Sequence, residues 1–245
     1  MEYKHKTILI TGGATGIGYA LGTRFVEAGN KVIICGRRED KLAQARELSP
    51  HLEVLKCDVS NERERESLYQ RVVGLFPEVS VLINNAGIQN RPAPLTQPQE
   101  WEEHRRELAT NIEAPMHLSM LFVQHFLKKP EAAIMNVSSG LAFSPLAFMS
   151  TYCASKAALH SFTLSLRHQL RETGIRVVEI IPPKVNTDLG GVGLHDDGAP
   201  LADFADSAFA AIIEGKLEFG YGFSEKNRLA SRAELDQVFS FLNGM

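Results

Sequence analysis

Cysteine is scarce in this chain: there are three among 245 residues, Cys35, Cys57 and Cys153, and no CxxC pair. An odd, scattered set excludes a disulfide scaffold and fits reduced thiols in a cytoplasmic compartment. Long apolar runs are missing as well. The first, Ile8-Leu9-Ile10, runs straight into a glycine turn. Nothing approaches the core of a signal peptide or the ~18 apolar residues of a membrane span, so a soluble protein with no membrane partner is expected. Basic charge is not in excess: 26 Lys and Arg face 29 Asp and Glu, a formal net charge of −3, which speaks against a nucleic-acid partner. The histidines show no metal-ligand spacing. His117 and His125, like His160 and His168, stand about two helical turns apart without an acid at i+3 or i+4, so no metal is expected. No internal repeat, low-complexity tract or linker-like shift of composition divides the chain.

What is present has globular proportions, 44% hydrophobic and 22% charged. Short β-branched and aliphatic runs at 7–11, 31–35, 52–56, 79–84, 132–138 and 176–181 alternate with helical patterns at 16–28, 38–48, 61–75, 99–128 and 152–173. Runs such as Val32-Ile33-Ile34 and Val81-Leu82-Ile83 lack polar alternation, which predicts strands buried on both faces of a parallel sheet. Asn61 with Glu64 reads as a helix cap and its capping-box partner, and the charge run at 62–66 as a solvated helix face. Later come a glycine-rich loop at 190–199, a helix near 202–214, a brief strand near 217–221 and an amphipathic helix near 225–242. The expected fold is α/β: a Rossmann-type, doubly wound, mainly parallel sheet of about seven strands with helices on both faces. One domain over 1–245 is expected, with a substrate lid near 188–205.

The first run leads into Thr11-Gly12-Gly13-Ala14-Thr15-Gly16-Ile17-Gly18 and then a helical pattern. Glycines there let backbone approach a pyrophosphate, and the helix start supplies unpaired N–H groups and positive dipole. An ordinary tight turn uses glycine too, but the place after the first buried strand favours a dinucleotide site. The second run ends Ile34-Cys35-Gly36-Arg37-Arg38, with no acid before Glu39. An acid here would bond a ribose 2′-hydroxyl, whereas two guanidiniums suit a 2′-phosphate. NADP(H) is therefore preferred as cofactor and NAD(H) stays possible; as a bland alternative, the arginines open a solvated helix.

Tyr152 and Lys156 share one face of a helical pattern. An ammonium beside a phenol stabilises the phenolate and draws its pKa down from ~10, which makes Tyr152 a usable general acid or base. Hydride transfer to a carbonyl needs such a proton partner. YxxxK is common on amphipathic helices, but Ser139, at the end of the fifth run, stands thirteen residues before Tyr152 and could bind the substrate oxygen with it.

In order and spacing, the turn at 11–18, Asp58-Val59, Asn84-Asn85-Ala86-Gly87, Asn111, Ser139, Tyr152 and Lys156 resemble the short-chain dehydrogenase/reductase family over residues 6–187. Cys35-Gly36-Arg37-Arg38, Pro182-Pro183 and Gly220-Tyr221-Gly222-Phe223-Ser224 are similar to its DltE-type subgroup. The resemblance implies an oxidoreductase acting on CH–OH and C=O groups with NAD(P). It implies a catalytic set of Asn111, Ser139, Tyr152 and Lys156. It implies cofactor contacts from Gly12, Thr15, Gly16, Ile17, Gly18, Arg37, Arg38, Asp58, Val59, Asn85, Ala86, Gly87, Tyr152, Lys156 and Thr187. Asp58 would meet the adenine amino group and 84–87 the adenosine ribose. Asn111 would hold a water that relays protons to Lys156, Lys156 would bond the nicotinamide ribose, and Thr187 would touch the carboxamide. Where the family has Pro-Gly after the sixth strand this chain has Pro182-Pro183, so the turn before Thr187 cannot adopt a glycine-only conformation.

The uncharged segment 141–149 is expected to line the substrate mouth, with Phe143 and Phe148 as lining or as core, and a mainly apolar carbonyl or secondary alcohol as substrate. His195 reads as a solvated loop residue. Apolar residues on several faces of the 99–128 and 152–173 helices (Leu118, Met120, Leu121, Phe122; Leu159, Phe162, Leu164, Leu166) suggest a homodimer, with the step to a tetramer left open, and the family implies the same pairing. Three alternatives remain at this stage: a non-catalytic dinucleotide-sensing or interaction protein, an NAD(H)-dependent alcohol dehydrogenase, and an enoyl reductase.

Overall fold

Along each central strand successive side chains enter opposite faces of the sheet, and both faces are dry. Ile8 and Ile10, Val32 and Ile34, Val81 and Ile83 join one buried cluster, while Leu9, Ile33 and Leu82 join a second on the other side. The strands are β1 (Thr7–Thr11), β2 (Lys31–Gly36), β3 (Leu52–Lys56), β4 (Val79–Asn84), β5 (Ala132–Val137), β6 (Ile175–Ile181) and β7 (Glu218–Gly220). They form one sheet in the order 3-2-1-4-5-6-7, with every neighbouring pair parallel. These statements come from a computed structural model that describes residues 2–91 and 93–244; Pro92, in the proline-rich run Arg91-Pro92-Ala93-Pro94-Leu95 whose composition predicts a loop, lies outside the described residues.

The helices are α1 (Gly16–Glu27), α2 (Glu39–Leu48), α3 (Glu62–Leu75), α4 (Trp101–Leu108), α5 (Ala114–Phe126), α6 (Ser150–Gln169), α7 (Leu201–Ile213), α8 (Phe223–Leu229) and α9 (Arg232–Leu242). Leu21 and Phe25 of α1, Leu42 of α2 and Phe204, Ala208 and Ile212 of α7 cover one face of the sheet. Leu68 and Val72 of α3, Leu118, Phe122 and Phe126 of α5 and Leu166 of α6 cover the other. Two neighbouring strands, β1 and β4, send their following helices to opposite faces, which opens a crevice at their carboxyl ends. A buried polar ladder fixes the far side of that crevice. Asn84 Nδ2 donates to Asn136 Oδ1 (2.9 Å) and Asn136 Nδ2 to Thr163 Oγ1 (2.9 Å), joining β4, β5 and α6.

Some boundaries differ from the sequence reading. The helix expected over 99–128 is interrupted: Ala109–Glu113 forms a π-helical turn between α4 and α5. The cause is Pro115 at the start of α5, which has no N–H to aim at the Asn111 carbonyl. The helix expected near 225–242 is two helices, because Ala230 is extended and Ser231 starts α9 afresh with a reciprocal capping box to Glu234. Asn61 does cap α3, accepting from the Glu64 N–H (3.3 Å), but the Glu64 carboxylate goes to the Asp58 N–H (2.7 Å) instead of closing the box. The last residues of the expected lid, from Leu201 onward, already belong to α7. Among the described residues, no helix is long and apolar enough to cross a membrane.

Candidate active site

The glycine turn is shaped by what lies against it. Gly12 has φ +63°, and a Cβ there would lie 2.8 Å from the Ala86 Cα. A Cβ on Gly18 would lie 2.4 Å from Asn85 Nδ2. Both absences let the β4 end close on the β1 end. Thr11 Oγ1 accepts from the N–H groups of Asn85 and Ala86 (3.1 Å each), and Asn85 Nδ2 returns to the carbonyls of Thr11 (2.9 Å) and Gly12 (3.1 Å). The Asn85 amide thus holds the turn together. Ile17 packs inward on the core. Thr15 precedes α1 without a side-chain cap, and no acid occupies the first turn, so the N–H groups there have no side-chain acceptor. An anionic pyrophosphate fits this end. Thr187, despite the Pro182-Pro183 turn, comes over it: a Cβ on Gly16 (φ +56°) would lie 3.4 Å from Thr187 Cγ2.

At the end of β2, Arg38 Nη2 donates to Thr15 Oγ1 (3.3 Å), tying it to the same turn. Burial and the neighbouring Arg106 charge hold the Arg37 guanidinium below its ordinary value, against the pull of Asp58. Asp58 is held below the usual carboxylate range. Burial would raise it, but the Ser60 hydroxyl (2.7 Å) and N–H (3.0 Å), with Arg37 and Arg106, prevail. Val59 is buried, and its carbonyl is taken by Arg65 Nη1 (2.7 Å). Sequence reasoning missed Arg106. It reaches this cluster from α4, almost fifty residues away in the chain, and no local pattern announces it.

Across the crevice, Ser139, Tyr152, Lys156 and Asn111 are all buried and gather at the ends of β4 and β5. The Ser139 hydroxyl is near enough to the Tyr152 phenol to pull its pKa downward, and Ser139 Oγ accepts from the Leu141 N–H (3.1 Å). Lys156 Nζ donates to the Val137 carbonyl (2.9 Å) and lies 5.7 Å from the centre of the Tyr152 ring. Burial pushes the Lys156 ammonium down to about 8, against the raising pull of Glu107 and Glu179. Burial also pushes the Tyr152 phenol above its ordinary value, the reverse of the expected lowering. The reason is that the ammonium points at a backbone carbonyl, and the loss of water around the phenolate outweighs its field. Asn111 clamps the loop after β4: Oδ1 accepts from the Ile88 N–H (2.9 Å), while Nδ2 donates to the Ile88 carbonyl (2.9 Å) and to Ser155 Oγ (3.1 Å). Gly87 leaves the space beside Lys156 bare, since a Cβ there would lie 3.5 Å from both Asn111 Oδ1 and Lys156 Nζ.

Glu107, also missed from sequence, is buried at the end of α4 and accepts from Asn90 N (2.9 Å) and Nδ2 (3.3 Å). Burial raises its carboxyl above the usual range. In the mouth, Phe148 is exposed and Phe143 lies against the His160 ring, so neither belongs to the buried core. The 188–199 segment is pinned at its base by Asn186 N–H to the Ala199 carbonyl (2.9 Å), Ala199 N–H to the Lys184 carbonyl (2.8 Å) and the Lys184–Asp197 ion pair.

Comparison with known proteins agrees with this geometry. A family profile described as short chain dehydrogenase matches residues 6–196. The chain is 44% identical to the uncharacterized oxidoreductase DltE of Bacillus subtilis (strain 168), over 99% of this chain and 98% of that one. Among solved structures, a short-chain dehydrogenase from Sphingobium yanoikuyae in complex with NADPH superposes with a TM-score of 0.80 at 25% identity, covering 95% of this chain and 92% of that one. A 3-ketoacyl-(acyl-carrier-protein) reductase from Brucella melitensis complexed with NADH gives 0.81 at 26% identity, covering 91% and 100%.

Proposed function

The chain belongs to the short-chain dehydrogenase family of oxidoreductases, and on that premise we propose that it moves hydride between NADP(H) and the carbonyl or secondary alcohol of a mainly apolar small molecule. The nicotinamide, when bound, supplies or accepts the hydride. The chain's own part is to bind, to orient and to handle the proton. The observation that carries this reading is the burial of Ser139, Tyr152 and Lys156 together at the strand ends, with the Lys156 ammonium 5.7 Å from the Tyr152 ring centre.

In reduction, Ser139 and Tyr152 together hold the substrate oxygen, and Tyr152 gives it a proton as negative charge develops there. Lys156 stabilises the phenolate left behind. Residues that would hold the cofactor fit it in kind: the uncapped start of α1 for the pyrophosphate, Asp58 for adenine, bare Gly87 beside Lys156 for the nicotinamide ribose and Thr187 above Gly16 for the carboxamide side. Asn111 sits where a helix ladder is interrupted, and a water held there would relay protons to Lys156.

Support for NADP(H) over NAD(H) comes from Arg37, which feels the like charges of Arg38 and Arg106 beside the carboxylate of Asp58. Like charges brought together call for an anion such as a 2′-phosphate. The NADH complex of the Brucella relative keeps NAD(H) as the competing cofactor, and a direct comparison of the two dissociation constants decides between them. The uncharged mouth at 141–149 supports an apolar substrate. Segment 188–199 is the candidate lid. Three free, buried cysteines support a reducing, cytoplasmic setting. The dimer reading is narrower than the sequence alone suggests. Leu118, Phe122, Leu159 and Leu166 are buried in the chain's own core, which leaves Met120 and Leu164 exposed on α5 and α6 for a second copy.

Tyr152→Phe tests the reading against a non-catalytic dinucleotide-binding protein. Loss of carbonyl reduction with NADPH binding retained supports the enzyme; a wild type that binds NADPH but reduces no member of a ketone and aldehyde panel overturns it.

A further inference from the structure

Behind Lys156 lies a second charged cluster. Glu179 of β6 is 0% exposed and pairs in register with Asn136 of β5. Ser138 Oγ donates to Glu179 Oε1 (2.6 Å), and His160 Nδ1 lies 2.9 Å from Oε2 and 3.1 Å from Oε1. Ser138 immediately precedes Ser139. His160 follows Lys156 by four residues on the same face of α6. Its ring meets that of Phe143 in the mouth segment, with centroids 4.7 Å apart. One carboxylate therefore touches both parts of the site: the strand end that presents Ser139 and the helix that presents Tyr152 and Lys156. A buried carboxylate is costly unless it is paired, and here every partner it has belongs to one of those two elements.

We propose that Glu179, paired with His160, is a positioning residue for carbonyl reduction: it braces the end of β5 against α6 and supplies the counter-charge facing the Lys156 ammonium. The kinetic consequence rests on the reductase reading above, whereas the ion pair does not. Glu179 from β6, Glu218 from β7 and Arg167 from α6 are the charges that act on His160, and Glu107 and Glu179 those that act on Lys156. A protonated His160 neutralises part of the Glu179 charge, and a neutral His160 leaves all of it to Lys156. While His160 is protonated, removing one partner or the other therefore acts on Lys156 in opposite directions. Glu179→Gln keeps the size and an acceptor for Ser138 but deprives the ammonium of its counter-charge; His160→Gln leaves the carboxylate unshared.

The test is the pH profile of kcat and KM for NADPH-dependent reduction of a ketone in wild type, Glu179→Gln, Glu179→Asp and His160→Gln, together with an NMR titration of the His160 ring. Glu179→Gln is expected to lower kcat by about tenfold with KM changed less than about threefold, and to move the alkaline limb down by about half to one pH unit. His160→Gln is expected to move that limb up where the wild-type ring titrates above it and to leave it in place where the ring titrates below it, and Glu179→Asp to restore the wild-type position. A purely structural brace would move no limb, or both in one direction, and either result overturns the proposal. Should Glu179→Gln fail to fold, His160→Gln decides with the wild-type ring titration: a lowered limb, or a limb unmoved although the ring titrates above it, overturns the proposal. The His160 midpoint is expected to fall in Glu179→Gln, and an unchanged midpoint shows that the pair is not formed. If the midpoint falls but wild type reduces no ketone, the reductase reading fails together with the kinetic role, and the ion pair alone stands.

Discussion

Lys156 donates to the Val137 carbonyl at 2.9 Å while its ammonium stays 5.7 Å from the centre of the Tyr152 ring. The lysine is thus anchored by backbone and pre-placed beside the phenol at the expense of its own solvation.

That cost has a measurable sign. An unfolded lysine keeps its proton to 10.5, the buried Lys156 only to about 8. Between those values the unfolded chain binds more protons, so stability rises as pH increases through that window, by roughly 3 kcal/mol in all. Lys156→Met is expected to abolish turnover yet raise stability at neutral pH by about 1–3 kcal/mol, read as a higher Tm. A lowered Tm would contradict this account of the burial.

Tyr152→Phe removes the hydroxyl proposed to give the proton and little else, because the ring stays packed. The expectation is a kcat loss of ~10²-fold or more with the NADPH dissociation constant near wild type. Ser139→Ala, which strips the partner hydroxyl, is expected to lower kcat as well, by a smaller factor. Single-turnover absorbance at the reduced nicotinamide band separates either effect from product release.

If Arg37, Arg38 and Arg106 meet a 2′-phosphate, each single alanine variant weakens NADPH binding by about tenfold and leaves NADH within about twofold. Fluorescence titration with both cofactors measures this. An Arg106→Ala variant with unchanged NADPH affinity removes α4 from the cofactor site.

Gly18 shows how little room the cofactor turn has. A methyl group there would lie 2.4 Å from Asn85 Nδ2 and 2.6 Å from the Gly12 carbonyl, and the backbone atom cannot move aside. Gly18→Ala is expected to break the bracket between Thr11 and Asn85 and lower stability by about 2–3 kcal/mol, with loss of dinucleotide binding. Denaturant titration gives the first quantity and calorimetry the second.

The C-terminal helix frames the mouth. Asn243 Oδ1 accepts from the Ala147 N–H (2.7 Å), and its Nδ2 donates to the Pro145 carbonyl (3.2 Å). Asn243→Ala is expected to raise KM for bulky ketones severalfold while kcat stays close to wild type; the reverse split would place α9 in the chemistry instead.

The strands, the glycine turn and the Tyr152–Lys156 spacing were legible in the amino-acid order because each is a local affair. Apolar residues without alternation mean two covered faces, φ > 0 calls for glycine, and four residues make one helical turn. Element ends were less legible where a single residue interrupts a long pattern. Pro115 broke the 99–128 helix into two around a π-helical turn, and Ser231 restarted the last one.

What no local pattern carried is the set of partners that arrive from distant strands and helices. His160 has no acid within a helical turn, yet it meets Glu179 of β6. Arg106 acts on Asp58 only because the fold brings α4 near the end of β3. The direction of the Tyr152 shift belongs to the same class: the YxxxK spacing brings an ammonium near the phenol, but the depth of burial is set by how β5, α6 and the mouth segment close over it. Spacing along a chain fixes which side chains share a face, whereas desolvation and long-range charge depend on what the folded neighbours remove from water.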